Sequence, residues 1–221
     1  MTIVLKIGGS LGRAGAPRTL LARLAGRPGT VLVPGGGALA DGVRVLQPAW
    51  GLSDGAAHKM ALLAMEQTAH AFLDLEPRLH AADSLAGLRA AAGRGTALWL
   101  PAAMTLGEPT IRESWDVTSD SLALWLAVQL GAARLVLVKA PGVCPPPPAG
   151  SRAADLAAWS TGGLVDAAFA TMADGFSGDI LLVPADDADG LDRALTGIPA
   201  PRRRDMMGTN TEETTEGQRS P

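Results

Sequence analysis

Ile3-Val4-Leu5-Lys6-Ile7-Gly8-Gly9-Ser10 is an apolar, strand-forming run that carries a single lysine and empties into a glycine turn. An ammonium buried there without a partner is strongly disfavoured. Strand side chains alternate between faces, and Lys6 lies near the strand's end. Its ammonium is therefore expected to emerge beside the Gly8 and Gly9 amides, where the two together form a pocket for an anion. Val31-Leu32-Val33-Pro34-Gly35-Gly36-Gly37 is a second apolar strand running into glycines. Two such turns in one chain suggest two phosphate groups.

Outward from these turns, strand-like and helix-like runs alternate in the manner of βαβ units, which predicts an α/β fold. Helices are expected over 18–24, 39–46 and 57–73, the last with Ser53 as N-cap, and over 119–130. Strands are expected over 30–33, 97–100 and 180–183. Leu135-Val136-Leu137-Val138 is an uninterrupted apolar run of the length of a buried parallel strand.

The 221 residues suffice for one good core without requiring a second domain. A hydrophobic content of 47% with 27 glycines and 16 prolines describes a globular α/β protein, and a formal charge of −3 argues against a general nucleic-acid surface. Cys144 is the only cysteine, which excludes an internal disulfide or a multi-thiolate metal site and fits a reducing compartment. With only three histidines, zinc is not expected either, and no residue is assigned to a metal. The chain opens on a strand without a basic, apolar leader, and no apolar run approaches a bilayer span. A cytoplasmic protein that contacts neither membrane nor nucleic acid is expected. The proline-rich 145–150 stretch reads as a surface loop. Beyond residue 200 the chain is polar, with too little apolar content to fold alone. Its run Arg202, Arg203 and Arg204 has two readings, a solvated tail or a grip on nucleotide phosphates or a neighbouring subunit.

Ser114-Trp115-Asp116-Val117-Thr118-Ser119-Asp120-Ser121-Leu122 concentrates hydroxyls and carboxylates at the start of the 119–130 helix. Thr118 or Ser119 is a natural cap, and the helix end offers amides that favour an anion. Asp120 in the first turn has the chemistry to hold a lysine ammonium, with Lys6 as the evident partner. Lys139-Ala140-Pro141-Gly142-Val143 again places a lysine at a strand's end before a turn. Such a lysine is ordinarily just solvated. In open α/β sheets, however, ligands bind at the carboxyl ends of strands, where Lys6, Gly35 and Lys139 would all lie.

On Lys6-Ile7-Gly8-Gly9-Ser10-Leu11, Val33-Pro34-Gly35-Gly36-Gly37 and Trp115-Asp116-Val117-Thr118-Ser119-Asp120-Ser121-Leu122, the chain resembles the amino acid kinase superfamily, from residue 3 to about 197. Together with 38–44 and Ala57-His58-Lys59-Met60-Ala61-Leu62-Leu63-Ala64-Met65, these segments are similar to the aminomethylfuran-methyl phosphate kinases of methanofuran and methylofuran biosynthesis. The resemblance implies a three-layer αβα sandwich with a mainly parallel central sheet. It implies one domain over 1–200, with an acceptor lobe over about 1–108 and a nucleotide lobe over about 109–200, and a disordered tail over 201–221. It further implies ATP with Mg2+, a phosphate monoester as acceptor, and a homo-oligomer.

On that resemblance Lys6, Asp120 and Arg13 take catalytic places, Arg13 being equally readable as a surface arginine. Gly8, Gly9, Ser10, Thr118, Ser119, Lys139 and Gly142 fall on the ATP side. Gly35, Gly36, Gly37, Asp41, Arg44, His58 and Trp115 fall on the acceptor side. Asp41 suits an acceptor bearing an aminomethyl cation. Asp41 and Arg44 also read as a solvated helix face, and His58 as a structural histidine. Three departures lie on the nucleotide side. Lys139-Ala140-Pro141-Gly142-Val143 stands where many members have Thr-Asp-Val-Asp-Gly. Gly162-Gly163 is followed by Leu164-Val165-Asp166 where many have a lysine, and Asp186-Asp187 follows the last strand. Two alternatives stay open: a binding or assembly subunit that has lost transfer chemistry, or a kinase for uridylate, an isoprenoid phosphate or an amino-acid carboxylate.

Overall fold

The computed structural model describes residues 1–8, 17–143 and 151–196. Gly9, Ser10, Arg13, Cys144, the 145–150 stretch and the 201–221 tail lie outside the described residues.

Six strands, β1 (Ile3–Ile7), β2 (Thr30–Pro34), β3 (His80–Ala82), β4 (Thr96–Trp99), β5 (Arg134–Lys139) and β6 (Asp179–Pro184), form one sheet in the order β3-β4-β2-β1-β5-β6. Every pairing is parallel. The chain moves one way from β1 to β2 and the other way from β5 to β6, so the strand order reverses between β1 and β5. The crevice outside the carboxyl ends of such a pair is where open α/β sheets take their ligands.

Helices cover both faces. On one face Val4, Val31, Leu135 and Leu137 pack against α4 (Leu85–Arg94), α6 (Ser119–Leu130) and α8 (Phe169–Met172), with α7 (Arg152–Thr161) contributing Leu156. On the other, Ile3, Leu5, Ile7 and Val136 pack against α1 (Pro17–Leu24), α3 (Asp54–Leu75) and α9 (Ala188–Thr196). This is the three-layer αβα sandwich. The two-residue alternation along β1 and β5 sorts their side chains between the layers.

The strands that run into turn residues coincide closely with the apolar runs read from the sequence. Ser53 caps α3, its hydroxyl accepting from the Ala56 amide at 3.2 Å. α2 (Gly37–Trp50) is longer than the 39–46 expected and runs through Pro48. A proline in the last turn removes one donor without ending the helix, so α2 continues past position 46. α2 ends at Gly51, whose φ of +65° lets its amide reach back to Gln47 O. α6 buries eight of its twelve residues and so lacks a polar face to read.

Leu124 in α6 is fully buried in the core under the sheet. Leu124→Ala is expected to lower unfolding stability by about 2–5 kcal/mol in a urea titration, and a loss under about 1 kcal/mol would contradict this packing.

Candidate active site

Val4 shares the α6-side core, whereas Ile3, Leu5 and Ile7 belong to the opposite one, so the alternation turns Lys6 toward α6. In the β1–β5 register Lys6 stands opposite Leu137, and Lys139, two residues further on, shares the face of Leu135 and Leu137. Asp120, in the first turn of α6, meets both lysines. Lys6 Nζ lies 3.0 Å from Asp120 Oδ1, and Lys139 Nζ lies 3.0 Å from each carboxylate oxygen. All three side chains are nearly out of water, at 7%, 9% and 12% exposure for Lys6, Asp120 and Lys139.

Burial pushes the Asp120 carboxyl upward, but the two ammonium groups outweigh it and hold the group below its ordinary range. Lys139 is pushed below the usual lysine range, first by burial and then by the charge of Lys6, against the pull of Asp120 and Asp166. The cluster thus holds two cations and one anion, which leaves a positive charge for a ligand to neutralise.

The start of α6 departs from expectation. Thr118 occupies the N-cap position in extended conformation, but its hydroxyl makes no capping bond to a helix amide. Asp166, from the segment between α7 and α8, supplies the acceptor instead. Its carboxylate receives the Thr118 amide at 2.9 Å, the Thr118 hydroxyl at 2.8 Å, the Ser121 amide at 3.0 Å and the Ser121 hydroxyl. The expectation that the Thr118 or Ser119 side chain caps α6 is corrected accordingly. A carboxylate of the chain itself fills that place, because a charged acceptor satisfies orphan amides better than a hydroxyl does. Nothing in the sequence points Asp166 at α6, since it lies in a loop 45 residues beyond Ser121.

A cavity of about 320 Å³ opens between α2, α3 and the start of α6. Its walls bring together Gly36, Gly37, Asp41, Arg44, His58 and Trp115, all expected on the acceptor side. Thr118 and Ser119, expected on the nucleotide side, line it too. Glycine is required at both helix-start positions. A Cβ on Gly36 would stand 2.5 Å from the Ala40 Cβ, and Gly37 has a φ of +55°. Gly35 is different: its amide donates to Ile7 O at 2.9 Å, so that amide serves the β1–β2 junction and is already committed. Gly8 is buried directly after β1 and does not line the cavity.

Arg44 links the cavity wall. It pairs with Asp41 at 2.9 Å and stacks over the Trp115 ring at 4.3 Å, while the Trp115 indole donates to Gln47 Oε1 at 2.5 Å. His58 is buried, with Nε2 lacking a hydrogen-bond partner among the described residues. Burial is the main cause that lowers its pKa, which favours the neutral imidazole near pH 7.

The departures on the nucleotide side acquire structural reasons. Gly142, at φ +77°, donates its amide to Asp186 Oδ1 at 3.4 Å, so Asp186 braces the turn after β5. Asp187 Oδ1 accepts from the Gly190 amide at 2.8 Å in the first turn of α9. The acidic pair therefore holds backbone. Among the described residues no group of three or more metal-ligating side chains is assembled, and none forms a helix long and apolar enough to cross a membrane.

The sheet order, the helical layers and the cation cluster at the reversal of strand order define an amino acid kinase-like fold. Three solved structures share it: uridylate kinase from Archaeoglobus fulgidus, with a TM-score of 0.59 at 16% identity, and UMP kinases from Bacillus anthracis (0.63, 14%) and Ureaplasma parvum (0.64, 14%). Each alignment covers 89% of this chain, and 96%, 92% and 95% of those chains respectively. In sequence the chain is similar to [5-(aminomethyl)furan-3-yl]methyl phosphate kinase of Methanocaldococcus jannaschii, at 28% identity over 138 residues. That match takes in 61% of this chain and spans 63% of the relative's length. No family model matches the chain.

Removing the charge of Asp120 leaves two lysines buried face to face. Asp120→Asn is therefore expected to cost about 3–5 kcal/mol in chemical denaturation. In the parent, the contribution of this carboxylate is present above its unfolded pKa near 3.8 and lost as pH falls through its lower folded value. An Asp120→Asn protein as stable as the parent at pH 7 would show that the cluster is not an ionic one.

Proposed function

We propose that the protein is an ATP-dependent kinase that transfers the γ-phosphoryl group to a small phosphate monoester, specifically aminomethylfuran-methyl phosphate. The observation that carries this reading is the Lys6–Asp120–Lys139 cluster. It holds a surplus positive charge at the reversal of strand order, one residue from the Ser119 wall of the cavity. The similarity in sequence to an aminomethylfuran phosphate kinase supports the choice of acceptor.

A phosphate monoester is largely ionised near neutral pH, so its oxygen attacks without a general base. That oxygen forms a bond to the γ-phosphorus while the bond from phosphorus to the β,γ-bridging oxygen breaks, and ADP leaves with the electron pair. The chain's task is electrostatic: to hold two mutually repelling phosphates together and stabilise charge on the transferring group. Lys6 and Lys139 serve it, and Asp120 keeps both ammonium groups in place. The first turn of α2, which lines the cavity at Gly36 and Gly37, offers the acceptor phosphate the amide end of a helix.

The remainder of the acceptor meets a wall that favours a donor. The Thr118 hydroxyl donates its hydrogen bond to Asp166, so toward the cavity it offers an oxygen lone pair, and Asp41 adds a carboxylate balanced by Arg44. Both suit an ammonium-bearing acceptor. The cavity draws on both halves of the chain, so the acceptor and nucleotide lobes meet across α6. The described residues do not fit a protein-held magnesium ion. Asp120 is taken by two lysines and Asp166 by four donors. A cytoplasmic homo-oligomer completes the proposal. Exposed Leu39 and Leu63, beside an apolar groove between α2 and α3, are compatible with subunit contact.

The test is ADP release with Mg-ATP and a panel of acceptors: aminomethylfuran-methyl phosphate, uridylate, an isoprenoid phosphate and an amino acid. The first is expected to be preferred, and preference for another would reject the assigned acceptor. Lys6→Ala leaves a neutral Lys139–Asp120 pair and hence a folded protein. Its turnover is expected to fall roughly a hundredfold or more, and unchanged turnover would remove Lys6 from the mechanism. Asp41→Asn is expected to raise KM for the aminomethyl acceptor roughly tenfold without changing KM for an analogue that lacks the amine. Absence of Mg-ATP binding in calorimetry, together with absent turnover, would favour a binding or assembly subunit.

A further inference from the structure

Asp166 is a half-buried charge that the reaction above leaves without a role of its own. Ordinary capping accounts for its bond from the Ser121 amide. The remaining three bonds do something else. Thr118 and Ser121 flank Asp120 in the chain, and Asp166 grips each of them twice, by amide and by hydroxyl. Holding both flanks fixes the rotation of the first turn of α6 about its axis, and with it the direction in which Asp120 projects. The grip is itself anchored. The Ala168 amide donates to Asp116 O at 2.9 Å, and the Ser160 hydroxyl of α7 donates to Asp166 O at 3.3 Å.

We propose that Asp166 is the positioning residue of the cation cluster, pinning the start of α6 so that Asp120 stands between Lys6 and Lys139. This deepens the kinase reading but rests on it only for its effect on turnover. The physical cause lies in geometry. Asp120 keeps bonds at 3.0 Å to ammonium groups on two adjacent strands, so turning the helix start about its axis would carry the carboxylate away from at least one of them. A neutral acceptor at position 166 would hold the same amides more weakly and could accept fewer of the four donors. The charge of Asp166 also opposes deprotonation of Lys139.

The chain has three lysines, Lys6, Lys59 and Lys139, so protein labelled with [ε-13C]lysine gives three resonances that Lys→Arg variants assign. Lys59, exposed and far from the cluster's burial, is the internal control. In Asp166→Asn the Lys139 titration is expected to move to lower pH, with Lys59 unmoved, and Asp166→Glu is expected to restore part of it. Ser121→Ala separates position from mere proximity, because it keeps the charge of Asp166 and removes one bond. It is expected to move Lys139 in the same direction by less. An unmoved Lys139 in folded Asp166→Asn would overturn the proposal. So would an unmoved Lys139 in Ser121→Ala, which serves also if the Asp166 variants do not fold. With Mg-ATP and acceptor, Asp166→Asn is expected to lower kcat about tenfold or more while KM for ATP changes little. An unchanged kcat beside an active parent counts against positioning. A parent without turnover fails the kinase reading, and the lysine titration still decides this one.

Discussion

Everything at the carboxyl edge of this sheet depends on one carboxylate, Asp120, lodged between two ammonium groups. Two lysines on adjacent strands of one parallel sheet repel each other, and burial deprives both of water. Without a shared counter-ion the least costly outcome would be for one of them to deprotonate or turn outward. Asp120 accepts from both at 3.0 Å, so both can stay charged and point the same way. A pair would have been neutral. Three charges give a site with a net pull on anions, and the sheet fixes where that pull is exerted.

The placement follows from the alternation of strand side chains and the parallel register. Lys6 and Lys139 share the α6 face because they fall in phase with Val4, Leu135 and Leu137, and they differ in height by two residues along the strands. A register slip of one residue would send either lysine into the opposite core among Leu5 and Val138. The same constraint explains why the apolar runs of β1 and β5 are so uniform. Both strands lie inside the sheet with helices on each side, and the only charged side chain that each carries near its carboxyl end is the one aimed at Asp120. Arg134 sits at the far end of β5, bonded to Ala194 O and Asp179.

Strands and long helices were legible where the chain wrote them as apolar runs ending in glycine, proline or a capping serine: β1, β2, β4, β5, α3 and α6. The short β3 and the helices α4, α7 and α9 were not, since ten residues or fewer with mixed polarity give little periodicity. At the site, residues that announce themselves by type in context were readable, among them Lys6, Asp120 and the Gly36-Gly37 turn. The meeting of Lys139 with Asp120 was not, because it depends on strand register. Gly35 misleads in the opposite sense, as a glycine whose amide is spent inside the sheet. Asp166 was visible only as a place where a lysine is missing, and its bond partners lie 45 and 48 residues earlier.

The distribution of carboxylates is the last step of the argument. Around the sheet's carboxyl edge, acids that a metal-dependent site would aim at a cation are turned toward the protein itself. Asp120 faces lysines, Asp166 faces the start of α6, Asp186 the Gly142 turn and Asp187 the start of α9. Each satisfies orphan amides or a buried ammonium, which rigidifies the elements around the crevice. The cations are consequently the groups not fully compensated. An edge whose acids are spent on its own backbone, and whose two lysines share a single counter-ion, is arranged to receive an anion. That asymmetry holds whichever ligand the cavity takes.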